Sequence, residues 1–341
     1  MPHRTGIEWT DYSSNPLRAE GPSGKGWSCV KISPGCLHCY SSVLDGRFGT
    51  KLGYNAGSQK KVTHIIDEKE LRHILSFRPK GPYRGGTTKP KVFPFDMTDL
   101  FGDWVPDGTI DRMLAAFALR PDVIFQVLTK RPERMAEYMN RNHGLLELGF
   151  ADRHYKFSTS APARVLQSAV DLHPPFRPAT FMWPLPNVWI GASVEDQDRA
   201  DDRIQWLLNT PAAVRFLSCE PLLGPVDIAG WMGDYGELQG GPHVGRQTID
   251  WVIVGGESGP RCRPCNVDWI RSIVSQCQSA GVPVFVKQLG GFPTDINEDL
   301  RYMQKHPNVY RIQSVKDKKG GDPSEWPLGL EVRQFPEVSH A

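Results

Sequence analysis

Residues 123–139 read VIFQVLTKRPERMAEYM, and this stretch shows the pattern that decides the fold. The apolar run of residues 123–128 ends in the polar residues 129–131. Pro132 then suits the first turn of a helix, which we predict to continue to Met139. A continuous apolar run of this length is typical of a parallel strand buried on both faces. The stretch therefore predicts one βα unit.

The same unit recurs along the chain. Five further apolar runs end in polar residues: 91–95, 188–192, 214–217, 250–254 and 282–286. Helical patterns follow three of them, over residues 107–119, up to Leu208, and over 267–280. A short strand near residues 26–29 would make seven strands. Alternating strands and helices imply right-handed crossovers, so we predict a complete or partial parallel β/α barrel of the TIM-barrel type. The alternative is a flat doubly wound sheet, but no G-x-G-x-x-G motif follows the first strand.

Nearly every predicted strand has an ionisable or hydroxyl residue at its carboxyl end. In a barrel these ends form the active-site face, although exposed loops are polar in any protein. The residues concerned are Asp96, Asp99, Lys130, Ser193, Glu195, Glu220, Glu257 and Lys287. We take Lys130, Glu220, Glu257 and Lys287 as catalytic candidates.

Composition and segment lengths define one domain with insertions. We predict a single barrel domain over residues 1–290, with longer insertions near residues 142–186 and 230–248 that are rich in Pro or Gly. Residues 291–341 are predicted to form a tail that packs on the barrel. The 341-residue chain carries 40 Lys plus Arg against 38 Asp plus Glu. That balance excludes nucleic-acid binding by bulk charge alone, but not a local basic patch.

The sequence contains no signal for a membrane or for secretion. No run approaches 18 apolar residues, and residues 1–10 lack an apolar secretory core. We therefore expect a cytoplasmic protein, in which cysteines are thiols, metal ligands or redox groups rather than disulfides.

Three of the seven cysteines lie close together in the chain. Residues 27–40 read WSCVKISPGCLHCY, so that Cys29, Cys36 and Cys39 have the spacing C-x6-C-x2-C around a Pro-Gly turn. Three thiolates can hold an iron–sulfur cluster and leave one iron open to a small molecule. Structural zinc with His38 as a fourth ligand is the alternative, as are three unligated thiols. A second pair, Cys262 and Cys265, has no further ligand nearby, and free thiols are favoured.

The chain resembles the three-cysteine-motif phage-protein family. The resemblance covers most of the chain and rests on residues 7–11 (IEWTD), 33–40 (SPGCLHCY), 97–101 (MTDLF), 126–132 (QVLTKRP), 183–189 (WPLPNVW), 193–197 (SVEDQ), 220–224 (EPLLG) and 255–259 (GGESG). That family is similar to radical S-adenosylmethionine (SAM) enzymes. Their common spacing is C-x3-C-x2-C, so the six-residue first gap is a departure here. Cys262 and Cys265 replace residues that are not usually cysteine in the family.

The resemblance implies an enzyme that cleaves SAM reductively and abstracts hydrogen from a substrate. A [4Fe-4S] cluster would be held by Cys29, Cys36 and Cys39, with a reductase or flavodoxin-type protein as electron donor. By position, Asp96 and Asp99 would hold the SAM amine, and Ser193 and Glu195 would hold its ribose.

The phage association makes a nucleic acid or nucleotide a possible substrate, on which exposed aromatic residues could stack. The aromatic candidates are Trp9, Trp27, Tyr40, Trp183 and Trp189, although aromatic residues more often pack in a core. Two readings from other classes stay open. One is a zinc-stabilised nucleic-acid-binding or nuclease-like protein, and the other is a barrel hydrolase with paired carboxylates and structural cysteines.

Overall fold

The computed structural model describes residues 2–141, 161–174, 182–233, 248–296 and 310–337. The strands are β1 (His3–Arg4), β2 (Tyr12–Ser14), β3 (Leu17–Gly21), β4 (Gly24–Gly26), β5 (Thr63–Ile66), β6 (Lys91–Pro94), β7 (Ile124–Thr129), β8 (Val188–Ser193), β9 (Val214–Cys219), β10 (Trp251–Gly255), β11 (Cys265–Asn266), β12 (Val284–Gln288) and β13 (Pro293–Thr294). The helices are α1 (Tyr40–Phe48), α2 (Ala56–Gln59), α3 (Glu68–Ser76), α4 (Asp107–Ala118), α5 (Pro132–Asn140), α6 (Ala161–Leu172), α7 (Gln197–Leu208) and α8 (Val267–Ala280). Most of both predicted insertions lies outside the described residues.

A curled eight-stranded sheet forms a half-barrel in a mixed α/β fold. Its strand order is β1-β2-β6-β7-β8-β9-β10-β12. Only β1 is antiparallel to its neighbour, and the other seven strands run parallel. All six strands predicted from apolar runs are confirmed, and their carboxyl ends lie along one edge of the sheet. This edge is called the carboxyl edge below.

The predicted seventh strand near residues 26–29 is wrong. The first parallel strand is instead β2, which lies before the cysteines and pairs with β6. The chain from β3 to β4 forms a hairpin, and β5 pairs with β3 to complete a separate antiparallel sheet. After β4 the backbone N–H of Trp27 donates to the Asp45 carboxylate at 2.9 Å, so the chain leaves the strand at this point.

The helices begin where the sequence supplies capping groups. Pro132 starts α5, and the side chains of Asp196 and Asn266 accept backbone N–H groups at the starts of α7 and α8. Gly281 ends α8 in the left-handed region, with φ of 66°, which glycine adopts without steric cost. The predicted helices over residues 107–119, 132–139 and 267–280 are confirmed within one residue.

The sheet is buried on both faces, as its continuous apolar runs require. The larger core lies between the sheet and the helices, and includes Met113, Phe117 and Ile270. A smaller inner cluster fills the concave face: Trp9, Phe93, Ile124, Trp189, Val214, Phe216, Trp251, Ile253 and Phe285. A Cβ on Gly191 would lie 2.5 Å from the Phe216 ring, so only glycine leaves room for this packing.

The C-terminal residues cover the β12 edge of the sheet. The backbone N–H of Val286 donates to Val332 at 2.8 Å, and that of Gln334 donates to Val284 at 2.9 Å. These bonds satisfy an edge strand that would otherwise expose unpaired backbone groups. In the described part of the chain, no helix has the length and apolar character that a membrane crossing needs.

Candidate functional site: a cysteine loop on the carboxyl edge

The three clustered cysteines lie on one loop above the carboxyl edge. Cys36 is buried in a single 3-10 turn that starts at Pro34, and Cys29 and Cys39 are half-buried. Burial raises the pKa of the Cys29 thiol to about 12, and negative charge on Asp99, Cys39 and Cys36 contributes to that rise. Charge on either of the other two cysteines therefore disfavours ionisation of Cys29. Among the described residues, no group of three or more His, Cys, Asp or Glu side chains is already arranged around a metal position.

Glu195 holds one side of the Pro-Gly turn. This fully buried carboxylate follows β8 and accepts a hydrogen bond from the Ser33 hydroxyl at 2.7 Å. It also pairs with Lys130 and, at 2.9 Å, with Arg203. A Cβ on Gly35 would lie 2.5 Å from a Glu195 oxygen, so the loop backbone rests directly on this carboxylate. Burial opposes ionisation, but Lys130, Arg203 and Ser33 outweigh it and lower the Glu195 pKa.

Glu257 holds the other side of the turn. It follows β10 and pairs with both Nε and Nη2 of Arg263, at 2.9 Å and 2.5 Å. The same arginine donates to the backbone carbonyl of Pro34 at 2.9 Å. The ring of His38, through Nδ1, lies 3.0 Å from Glu257. Burial raises the Glu257 pKa, but the bonds from Arg263 and His38 outweigh it, and the net shift is downward. His38 thus faces a carboxylate of the barrel edge.

Asp99 ties the loop to a third position on the edge. Its carboxylate accepts hydrogen bonds from the Thr129 hydroxyl at 2.7 Å and from the Lys130 N–H at 3.1 Å. It also pairs with Arg131 at 3.0 Å, and Arg131 donates in turn to the carbonyl of Val30 at 3.0 Å. Both Asp99 oxygens therefore already have protein partners.

Asp96 differs from Asp99 because it remains half-buried beside the loop. It receives hydrogen bonds from Asn15 and, at 3.3 Å, from the Tyr40 hydroxyl. Burial raises the Asp96 pKa, and the hydrogen bonds from Asn15 and Tyr40 offset this only in part. The preceding residue, Phe95, has φ of 65°, a left-handed conformation that is unusual for a bulky side chain. Such strained positions cluster at functional sites.

Glu220 and Lys287 form a pair at 3.2 Å at the carboxyl ends of β9 and β12. The strand between them, β10, ends at Gly255. A Cβ there would lie 2.9 Å from a Glu220 oxygen, so a glycine allows the pair to form across the strand. All four catalytic candidates therefore lie on the carboxyl edge and are ion-paired.

The cysteines differ in how readily they ionise. Burial raises the pKa of Cys36, but the Lys130 ammonium and hydrogen bonds from residues 32 and 33 outweigh it, so its pKa is lowered. Cys265 is fully buried, and burial raises its pKa to about 12. Burial also raises the pKa of Cys262, followed by the charge of Glu257. Burial is therefore the main reason why both thiols of the second pair have raised pKa values.

Sequence reasoning identified the acidic residues of the site but missed most of their partners. Arg203, Arg263, Ser33 and Asn15 hold the loop or the edge carboxylates, and none of them follows a predicted strand directly. Arg263 carries a usable signal, because it is a cation between Cys262 and Cys265. Of the aromatic residues considered for base stacking, Trp9 and Trp189 belong to the inner cluster and are buried. Tyr40 is exposed.

The fold and the site define an α/β half-barrel protein with a three-cysteine loop fixed to its carboxyl edge. Within that class, the model of the family described as "Protein of unknown function (DUF5131)" matches residues 4–323. The chain belongs to this family. Comparisons with curated proteins and with solved structures gave no match.

Proposed function

We propose that this protein is a radical-SAM-type enzyme whose cysteine loop binds a [4Fe-4S] cluster. The ligands would be Cys29, Cys36 and Cys39, and SAM would fill the open iron position. The resemblance to the three-cysteine-motif phage proteins supports this proposal. The half-barrel would correspond to part of the β/α barrel of radical SAM enzymes.

One observation carries the proposal: the Pro-Gly turn of the cysteine loop is fixed from two sides by buried ionic groups of the carboxyl edge. Ser33 and Gly35 rest on Glu195, and Pro34 and His38 are held by Arg263 and Glu257. Buried ion pairs carry a desolvation cost and are weak evidence for stability alone. Their use here is consistent with a loop that must be placed accurately over the site.

The donor chemistry fits such a cluster. Three thiols share one loop, and the Lys130 ammonium stabilises negative charge at Cys36. When bound, the cluster supplies the electron that cleaves SAM reductively.

The surrounding residues would then bind and orient SAM. Asp96 has the more accessible carboxylate and would meet the cationic amine. Ser193 lies at the end of β8, where the ribose is expected. Glu195 and Asp99, whose carboxylate oxygens already have protein partners, would fix the loop and the edge beneath. The candidates Lys130, Glu220, Glu257 and Lys287 would position groups around the substrate through their ion pairs. A nucleic acid or nucleotide remains the proposed substrate class.

Anaerobic reconstitution with iron and sulfide tests the cluster. We expect the wild type to bind iron and acid-labile sulfide and to show absorbance of thiolate-to-iron charge transfer. Each of Cys29→Ala, Cys36→Ala and Cys39→Ala should lose most of this iron. Stoichiometric zinc without iron after anaerobic purification would favour the zinc-stabilised alternative instead.

The second cysteine pair offers a matched control. The variant carrying Cys262→Ser and Cys265→Ser removes two thiols from the same edge of the sheet. We expect it to retain the wild-type iron content, because the pair lies on its own segment around β11. Loss of iron in this variant, with its melting temperature unchanged, would show that the pair supplies ligands.

A further inference from the structure

Helix α1, which directly follows the cysteine loop, buries its polar residues and exposes its apolar ones. Its polar residues Ser41 and Asp45 face inward and are buried, while its large apolar residues are exposed. Ser41 donates to the carbonyl of Asp96 at 2.8 Å, and Asp45 accepts hydrogen bonds from Trp27 and Thr50. A surface helix of a globular protein has the opposite arrangement.

The exposed apolar residues of α1 lie on one side of the helix. At about 100° per residue, Tyr40, Val43, Leu44 and Phe48 fall within an arc of roughly 140° on the outer face of α1. Phe48 is 74% exposed and Val43 is 51% exposed. Two loop residues between the cysteines, Ile32 and Leu37, are also exposed. These six residues are called the apolar patch below. Several large exposed apolar residues on one helix and the loop before it are typical of an interaction site.

The exposed charges on the chain segment that carries helix α1 are positive. From Pro22 to Ile66 the only acidic residue is Asp45, which is fully buried and hydrogen-bonded. Exposed cations of the same segment are Lys25, which pairs with Asp67, and the five residues Lys31, Arg47, Lys51, Lys60 and Lys61. In the described part of the chain these five make no ion pair. The whole chain is nearly neutral, so this basic rim is local and complements an acidic partner.

We infer that the apolar patch and its basic rim dock a small acidic one-electron carrier protein of the flavodoxin class. The identity of this partner rests on the proposed function. Ile32 and Leu37 belong to the cysteine loop itself, so a protein seated there comes close to the thiols. Four of the six patch residues are aliphatic, which suits a protein interface better than base stacking. A small patch steered by charge suits a transient redox encounter.

The reaction at this surface is a transfer of one electron. The flavin hydroquinone of the carrier would lose one electron, and an oxidised cluster on the cysteine loop would gain it. No bond forms between the proteins and no proton passes between them.

Calorimetric titration with purified oxidised flavodoxin at low salt tests docking without requiring a loaded cluster. We expect measurable binding that weakens as salt is added. The Val43→Ser, Phe48→Ser double variant should bind at least about tenfold more weakly, through lost apolar burial. Arg47→Glu should weaken binding at low salt and flatten its salt dependence. Because all three side chains are exposed, melting temperatures should change little.

Two control variants lie away from the apolar patch. Leu328→Ser removes an apolar side chain that is 90% exposed in the C-terminal residues. Lys89→Glu reverses a charge just before β6, at the amino ends of the strands, opposite the carboxyl edge. Both should bind flavodoxin like the wild type. Equal binding by patch and control variants would overturn the docking proposal. The proposal would also be overturned if the wild type bound anionic vesicles or single-stranded DNA but not flavodoxin. A dimer in light scattering that the patch variants abolish would overturn it as well.

A reduction assay separates this proposal from the proposed function. In reconstituted protein, dithionite should reduce the cluster at the same rate in all variants. Reduced flavodoxin should reduce it more slowly in the patch variants than in the wild type and the control variants. If flavodoxin reduced the patch variants as fast as the wild type, the docking proposal would be wrong, and the proposal of a cluster would be unaffected. Failure of the wild type to form a cluster would instead contradict the proposed function, and the titration would still decide whether the surface docks the carrier.

Discussion

The concave face and the carboxyl edge of the same seven parallel strands are built from opposite chemistry. At the concave face, Trp9, Phe216 and Trp251 pack ring against ring, with centroids 5.8–6.3 Å apart. At the carboxyl edge, buried Asp99, Glu195 and Glu257 are each held by two or more charged or polar partners. The inner cluster gains free energy from apolar burial, whereas each edge carboxylate must first overcome the desolvation of its charge.

The difference indicates the role of each of the two regions. The aromatic packing buries apolar area and holds no atom of the cysteine loop, so it explains stability and not the position of the loop. The ionic edge instead fixes particular atoms of the cysteine loop: Ser33 Oγ, the Pro34 carbonyl and the His38 ring. We therefore expect variants of the inner cluster to alter unfolding, and variants of the edge to alter iron binding more than unfolding.

The largest effect is expected from Trp251→Ala. Trp251 is fully buried and contacts Trp9, Trp189, Phe216 and Phe285. Truncation leaves a cavity and should reduce the free energy of unfolding by about 3–5 kcal/mol. Chemical denaturation measures this loss. A change below about 1 kcal/mol would contradict the assignment of this cluster as a core.

Glu195→Gln should have a smaller effect on stability and a larger one on iron. The amide cannot neutralise Lys130 and Arg203, and we expect a loss of about 1–3 kcal/mol in unfolding free energy. Because Ser33 loses its charged acceptor, the loop should be held less firmly and bind less iron on reconstitution. Lys89→Gln, at the opposite edge of the sheet, is the control. Wild-type iron content in Glu195→Gln would break the proposed link between the edge and the loop.

Acid should weaken the edge before it weakens the inner cluster. The pKa values of Glu195 and Glu257 are lowered in the folded protein. Their stabilising contribution is therefore complete above the unfolded value of about 4.3 and is lost as the pH falls through the lower folded values. Unfolding measured from about pH 5 to about pH 3 should show a shallower loss in Glu257→Gln than in the wild type. Identical slopes of unfolding free energy against pH would show that Glu257 does not contribute to the acid sensitivity of the edge.

Asp96→Asn should affect stability least. The folded pKa of Asp96 is raised, so its ionised form opposes folding, and this cost disappears as the pH falls through the raised value. Replacement by the neutral isostere should change the free energy of unfolding by less than about 1 kcal/mol at pH 7. Calorimetry on the reconstituted variant should nevertheless show SAM binding about ten- to a hundredfold weaker, from one lost charge-assisted bond. Unchanged SAM affinity would remove Asp96 as a contact.

The sequence predicted the strands well and the connections of the site poorly. Apolar runs identified six parallel strands because such strands are buried on both faces, and capping residues set the helix ends. The polar residues after those strands do meet at one edge. The partners Arg203 and Arg263 could not be found in this way, because they come from a helix and a loop whose approach depends on the fold. The inverted polarity of α1 was also hidden, because no helix was predicted directly after Cys39.

The central claim is that the loop of Cys29, Cys36 and Cys39 holds an iron–sulfur cluster over the carboxyl edge. X-ray absorption at the iron and zinc edges of protein purified without oxygen, and without added metal, tests this most directly. We predict an iron edge with sulfur neighbours and iron–iron scattering, both absent from the Cys36→Ala variant. A zinc edge alone, with sulfur neighbours that depend on the same three cysteines, would contradict the claim.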